Sequence, residues 1–275
     1  MTKPIKPKLH SPGARVAKAI AQPPLENYLL EAAPSKAIAA LGSRLQLIPL
    51  SVGHLIYAPM KPIRHVYFPT AGLISVVAAM KDGSTVEVGL VGKDGMTGIA
   101  LLLGVEFTRN EAVVQVAGSA YVIEASLFSG VVQRFPGFQN LLLRYVESRM
   151  SQIALTAACN RLHHVEERCS RWLLSVSDRV ESDSFFLTQE YMATMLGVRR
   201  AGVTLAAGIL QKAGIIDYRR GRMRIIDRER LEATACECYE TGKAEMNQLF
   251  AAPKVARNTG TRSAAVKPSP HDPPV

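Results

Sequence analysis

The stretch from Thr188 to Ile226 restricts the fold more than any other. Thr188 is a good helix N-cap, because its hydroxyl can accept from the free amides of a first turn. Counting from Gln189, Ala193 is fifth, Gly197 ninth and Val203 fifteenth. A helix-turn-helix needs those residue types at those places. The small residue lets the second helix cross closely, the glycine permits positive φ in the turn, and the β-branched residue packs the helices together. Met192, Leu196, Val203, Ala207 and Leu210 supply a shared apolar face. The spacing predicts one helix over Gln189–Leu196 and a second from about Arg199 to Lys212, with Gly214 as its C-cap.

The other face of the second helix begins Arg199-Arg200 and continues to Thr204. These side chains lie near a helix N-terminus, where a recognition helix meets base edges. Arginine can bond guanine O6 and N7 bidentately, and threonine can contact a thymine methyl or a phosphate. Ile215 to Ile226 follows, two apolar-ended strands around an Arg-Arg-Gly-Arg turn, which is the pattern of a β-wing. Its guanidinium groups would contact phosphate. Candidate DNA contacts are Gln189, Arg199, Arg200, Thr204, Arg219, Arg220 and Arg222.

Charge sharpens this reading. The 275 residues carry 33 Lys+Arg and 23 Asp+Glu, a formal +10. Residues 1–24 hold five basic and no acidic residues, and residues 251–275 hold four basic and one acidic. Most of the excess therefore sits in two Pro- and Ala-rich tails that read as disordered. Residues 197–230 nevertheless hold nine basic residues against three acidic ones, on the predicted recognition helix and wing.

Upstream, short apolar or alternating runs are separated by Gly and Pro: Arg44–Leu50, His54–Ala58, His65–Phe68, Leu73–Ala79, Thr85–Leu90, Ala112–Val116 and Ser119–Ile123. Asp82-Gly83 and Asp94-Gly95 mark tight turns. Strands so spaced predict a β-sandwich, jelly roll or barrel. Phe138 to about Leu162 is helical, free of Pro and Gly. In it Leu142, Val146, Arg149, Ile153, Thr156 and Asn160 follow alternating steps of four and three, a coiled-coil seam with polar members. Leu142, Val146, Arg149, Ile153 and Asn160 are thus the expected dimer contacts, with a core helix packed on its own β-domain as the alternative. A further helix is expected near Val165–Val180.

No run reaches the ~18 apolar residues of a membrane helix, and the N-terminus lacks a signal peptide's apolar core. A soluble, cytoplasmic protein with no membrane partner is expected. Four cysteines, Cys159, Cys169, Cys236 and Cys238, are then expected to be reduced. Cys236-Glu-Cys238 is shorter than a zinc knuckle, with no second Cys/His pair nearby in sequence, so helix packing is the expected role and no metal site is expected. The sequence shows no nucleophile–base–acid arrangement and no Gly-rich nucleotide loop, so an enzyme is not expected.

Residues 26–235 as a whole resemble the Crp/Fnr superfamily of bacterial transcription factors. The likeness is strongest in Gln189–Asp227, above all in Met195-Leu196-Gly197-Val198-Arg199-Arg200. Val66-Tyr67-Phe68-Pro69 and Val86 to Gly92 are similar to a branch whose effectors are mostly unassigned. The resemblance implies an α+β fold in five parts: a disordered basic tail (1–24), a jelly-roll-like β-roll sensor (25–138), a dimerisation helix and hinge (139–163), a winged helix-turn-helix (164–235), and a helix end with a disordered tail (236–275).

The resemblance also implies a homodimer on near-palindromic double-stranded DNA, RNA polymerase as a partner, and a small-molecule effector at the β-roll. That effector would shift a hinge around Asn160–Glu166. Arg200 takes the place of the family's guanine-reading arginine. Ala201 and Leu205 stand where the best-known member has two further base-reading residues, which implies a different target sequence. Gly98 and Arg109 keep the spacing of the family's cyclic-phosphate cassette, and Asn110 follows. Ile99 replaces the ribose-binding glutamate, and Glu111 would set an anion near the phosphate. These departures argue against cyclic AMP at the candidate pocket Gly98, Arg109 and Asn110. The absence of cysteine from residues 1–30 argues against the family's iron–sulfur cluster. Heme through His54, His65, His163 or His164 stays open. The competing reading is a ligand-binding or protein-interaction module whose winged helix docks a protein partner.

Overall fold

A computed structural model describes residues 25–251. The two expected tails fall outside the described residues, as does the rest of the segment beyond Ala251. Two short helices, α1 (Tyr28–Glu31) and α2 (Ser35–Leu41), open the fold. Asn27 anchors them: its side chain accepts from Leu29 N and Leu30 N and donates to Pro69 O and Gly95 O. Five strands follow: β1 (Gln46–Leu50), β2 (Leu55–Tyr57), β3 (His65–Ala79), β4 (Thr85–Val91) and β5 (Glu111–Glu124). They form one antiparallel sheet in the order β1-β5-β3-β4, with β2 also on β5.

The sequence breaks the two longest strands in half, at Pro69–Gly72 and at Ala117-Gly118, whereas the fold runs through both breaks. Register shifts near Ala71 absorb the irregularity, as bulges do while bending a sheet. Glycine is required there. A Cβ on Gly118 would lie 2.1 Å from Ala71 O, and Gly72 has φ +78° against the Val116 carbonyl.

The chain then turns helical: α3 (Ala125–Arg134), α4 (Pro136–Leu162) and α5 (Val165–Val180). After β6 (Ser184–Phe186) come α6 (Gln189–Leu196), α7 (Arg200–Lys212), β7 (Ile216–Arg219), β8 (Arg222–Ile225), α8 (Arg228–Thr234) and α9 (Cys238–Phe250). The three short strands form a second sheet, β6-β8-β7. α9 is a full helix, longer than the expected helix end, and it folds back onto α4: Arg144 donates to Leu249 O at 2.9 Å and Ser151 to Glu245 Oε1 at 2.7 Å. No single helix among the described residues is long and apolar enough to cross a membrane.

The expected dimer seam is divided by this packing. Leu142, Val146 and Arg149 are buried within the protomer, and Ile153 and Asn160 are exposed. The free face of α4 is displaced from that seam and runs through Leu143, Met150, Ile153, Ala154, Ala157 and Leu162. The reason is that the β-roll claims one side of the helix: Tyr145, fully buried, accepts from Met96 N and donates to Met96 O.

Candidate nucleic-acid interface

Thr188 Oγ1 accepts from Tyr191 N at 3.1 Å and so caps α6. Gly197 ends that helix at φ +61°, and Val198 N donates back to Ala193 O. The axes of α6 and α7 then differ by 107°, within the range of a helix-turn-helix. Met192, Ala193, Leu196, Val203, Ala207 and Leu210 are buried between them. Gly214 lies one residue beyond the C-cap, Ala213, at φ +74°.

The outer face of α7 carries the candidate contacts. Arg199 is its N-cap residue, and Arg199, Arg200, Ala201, Thr204 and Leu205 are all exposed. Thr204 Oγ1 lies 3.0 Å from Gln189 Oε1, which brings the starts of the two helices onto one surface. Leu205 and Ile209 expose apolar side chains on the same helix, chemistry suited to thymine methyls.

The wing turns on Arg220 and Gly221, at φ +50° and +79°, between the paired Arg219 and Arg222. Two successive positive φ angles are the signature of a tight hairpin turn whose twist matches its strands. Gly221 also lies against the Phe186 ring, which a Cβ would meet at 2.8 Å. Asp217 accepts from Arg219 at 3.0 Å and faces Arg224 at 3.9 Å. Among the described residues, Arg199, Arg200, Arg220 and Arg222 have no carboxylate partner. Their charge is therefore available to a polyanion without breaking an ion pair.

Residues 167–234 match the model of the Crp-like helix-turn-helix domain. That stretch is thus similar to a Crp-like helix-turn-helix domain, and the fold as a whole has solved counterparts. A putative transcriptional regulator of the crp/fnr family from Eubacterium rectale superposes with a TM-score of 0.61 at 15% identity, over 75% of this chain and 96% of that one. FixK2 from Bradyrhizobium japonicum gives 0.59 at 15%, covering 70% and 98%. The c-di-GMP responsive global regulator CLP from Xanthomonas campestris gives 0.58 at 15%, covering 70% and 99%. A comparison with curated protein sequences gives no match.

The Crp-like domain is locked to the β-roll by residues that no local motif marked. Trp172 donates to Glu87 Oε1 at 2.8 Å, and Tyr191 donates to Ser75 Oγ at 3.2 Å. Arg179 pairs with Asp94 at 3.0 Å, and Lys93 with Glu181 at 2.6 Å. Arg168 donates to Asn160 Oδ1 and to the Leu196 carbonyl that closes α6. Burial pushes the Glu87 carboxyl up to about 7, against the opposing pull of its hydrogen bonds with Ser75 and Trp172 and of Arg179 and Arg171. Only the apolar run Leu73–Ala79 in the second half of β3, interrupted by Ser75 alone, hints that this face is covered.

In the β-roll, Gly98 and Asn110 line a cavity of about 90 Å³, while Arg109 is exposed and outside its wall. Pockets for nucleotide-sized ligands are several times larger, roughly 300–1,000 Å³. Arg149 reaches this cavity and a second one of about 240 Å³ between β4, α4, α5 and α9. His54 and His164 are exposed and, like His163, line neither cavity, whereas His65, also exposed, lines a separate hollow of about 560 Å³ with Gln46 and Tyr67. His163 belongs instead to a grouping that sequence spacing did not show. The fold brings Cys159 and His163 against Cys236 and Cys238, the second pair that the sequence lacked.

Proposed function

We propose that the chain is a homodimeric transcription regulator that reads double-stranded DNA through α7 and the wing. The observation that carries this reading is the set of exposed, acid-free arginines at the N-terminus of α7 and at the wing tip. The face of α4 left uncovered by the protomer supplies the dimer contact. Two recognition helices so joined would enter successive major grooves, about 34 Å apart, on a near-palindromic site. Its control acts at the junction of β-roll and winged helix. Arg149 supports this: it is buried, its side chain bonds only Gln152 among the described residues, and it borders both cavities. An anionic metabolite is the chemistry that such a guanidinium would hold. A ligand acts there by binding the two arrangements of the junction with different affinity.

Gel-shift titration on genomic fragments at physiological salt tests the reading. It stands if some fragments bind well above random DNA, and falls if none does. The exposed Leu205 and Ile209 favour the competing reading, docking of a protein on the same face, which gains if no fragment is preferred.

A further inference from the structure

Three thiols and one imidazole converge where α4 ends and α9 begins. Cys159 and His163 are one helical turn apart at the C-terminus of α4, and Cys236 and Cys238 flank Glu237 in the link from α8 to α9. Cys159 Sγ and Cys236 Sγ are 3.5 Å apart, and Cys238 Sγ is 3.6 Å from His163 Nδ1. All four donor atoms lie within 4.8 Å of one another. The three cysteines are buried and make up a small cluster of their own, against Leu155.

We infer that Cys159, His163, Cys236 and Cys238 form a binding site for a single tetrahedral transition-metal ion of the zinc class. Zinc–sulfur bonds of about 2.3 Å at tetrahedral angles put thiolate sulfurs about 3.8 Å apart, close to the spacing found here. Three sulfurs and one imidazole are a donor set that selects zinc over the hard, oxygen-bound cations. The donors stand too close together for a multi-iron cluster, which would hold its ligands apart across the cluster's own width. The imidazole also presents a ligand atom to the thiols: its Nδ1 lies 3.6 Å from Cys238 Sγ.

Binding replaces the three thiol protons, which pass to solvent, and changes no oxidation state. The ion joins the last turn of α4 to the first residue of α9. It thereby fixes Asn160, which sits between two ligands in sequence and accepts from Arg168, the residue that also holds the end of α6. Occupancy of this site would set the stiffness of the α4–α5 hinge through which the Crp-like domain is positioned.

The test uses the full chain, purified under reducing conditions, with zinc and cobalt(II) as probes. Elemental analysis should give one zinc per chain, and cobalt(II) should give the intense visible bands and thiolate charge-transfer absorption of a tetrahedral sulfur-rich site. Cys159→Ser and Cys236→Ser should each abolish stoichiometric uptake in competition with a chromophoric chelator. His163→Cys should keep the site with an altered cobalt spectrum, while His163→Ala weakens it. The last pair serves if the serine variants do not fold, as judged by circular dichroism. The inference is overturned if the folded, reduced chain takes no zinc from the chelator. It is equally overturned if His163→Ala and His163→Cys bind both metals as the parent chain does, or if Cys159 and Cys236 form a disulfide and their reduction restores no uptake.

Discussion

Trp172 and Glu87 lie 85 residues apart in sequence and share a 2.8 Å hydrogen bond in the buried junction between α5 and β4. Ser75 explains the state of the carboxyl. Its hydroxyl has one proton, yet it lies 2.7 Å from Glu87 Oε2 and 2.5 Å from Gln115 Oε1 and accepts from Tyr191. A protonated Glu87 satisfies every partner: it donates to Ser75, Ser75 donates to Gln115, and the indole donates to the remaining carboxyl oxygen.

This fixes a pH dependence. The folded carboxyl keeps its proton to about 7, above the ordinary value of 4.5. At this group the folded state therefore binds more protons, so the stability that Glu87 contributes is full below about 4.5, declines as pH rises to about 7, and then levels off. The whole span is worth a few kcal/mol at about 1.4 kcal/mol per unit. Glu87→Gln keeps an acceptor for Trp172 and a donor for Ser75, and should flatten that decline. Denaturant unfolding between pH 5 and 8, followed by the fluorescence of the chain's one tryptophan, measures it. Equal slopes in both proteins would refute the assignment.

Arg200→Ala should weaken binding to a preferred site by about 1–3 kcal/mol and leave binding to random DNA nearly unchanged. Arg222→Ala should weaken both alike and reduce the slope of log affinity against log salt by about 1. Fluorescence anisotropy across a salt series separates the two, and base reading by Arg200 fails if its loss is uniform.

Met150→Glu puts a charge on the free face of α4 and should dissociate the dimer without unfolding the protomer. Leu142→Ala, inside the protomer, should instead cost about 2–5 kcal/mol of stability. Sedimentation velocity and thermal unfolding distinguish the outcomes. A Met150→Glu chain that sediments like the parent would move the dimer contact elsewhere.

Gly197→Ala should be destabilising for two reasons at once. The residue sits at φ +61°, and its added Cβ would lie 3.0 Å from Val86 Cγ2 on β4. The positive φ alone costs about 1 kcal/mol, and the contact adds loosening of the junction. Calorimetry measures the first, and the tryptophan emission maximum reports the second.

Legibility in the sequence follows the range of the interactions. The limits of α5 and α6 and the start of the wing follow from spacings within about forty residues, where caps, glycines and helical periodicity act locally. β3 and β5 read as four strands because Gly72 and Gly118 interrupt the pattern, although each glycine serves an approach by the other strand. The division of the α4 seam between buried and exposed residues is hidden for a related reason. Its heptad spacing is shared by two faces, and only the packing of Tyr145 and Arg149 into the β-roll decides which is spent inside. The cysteine–histidine grouping was invisible because its halves are 77 residues apart and meet through the return of α9.

Leu73, Val77 and Leu90 of the β-roll share a single apolar core with Trp172, Leu196 and Val203 of the Crp-like domain. Such a chain resists modular engineering. A winged helix cut out at the hinge would carry a raw hydrophobic wound where β3 and β4 had been, and a foreign sensor grafted in its place would need to match that surface residue by residue.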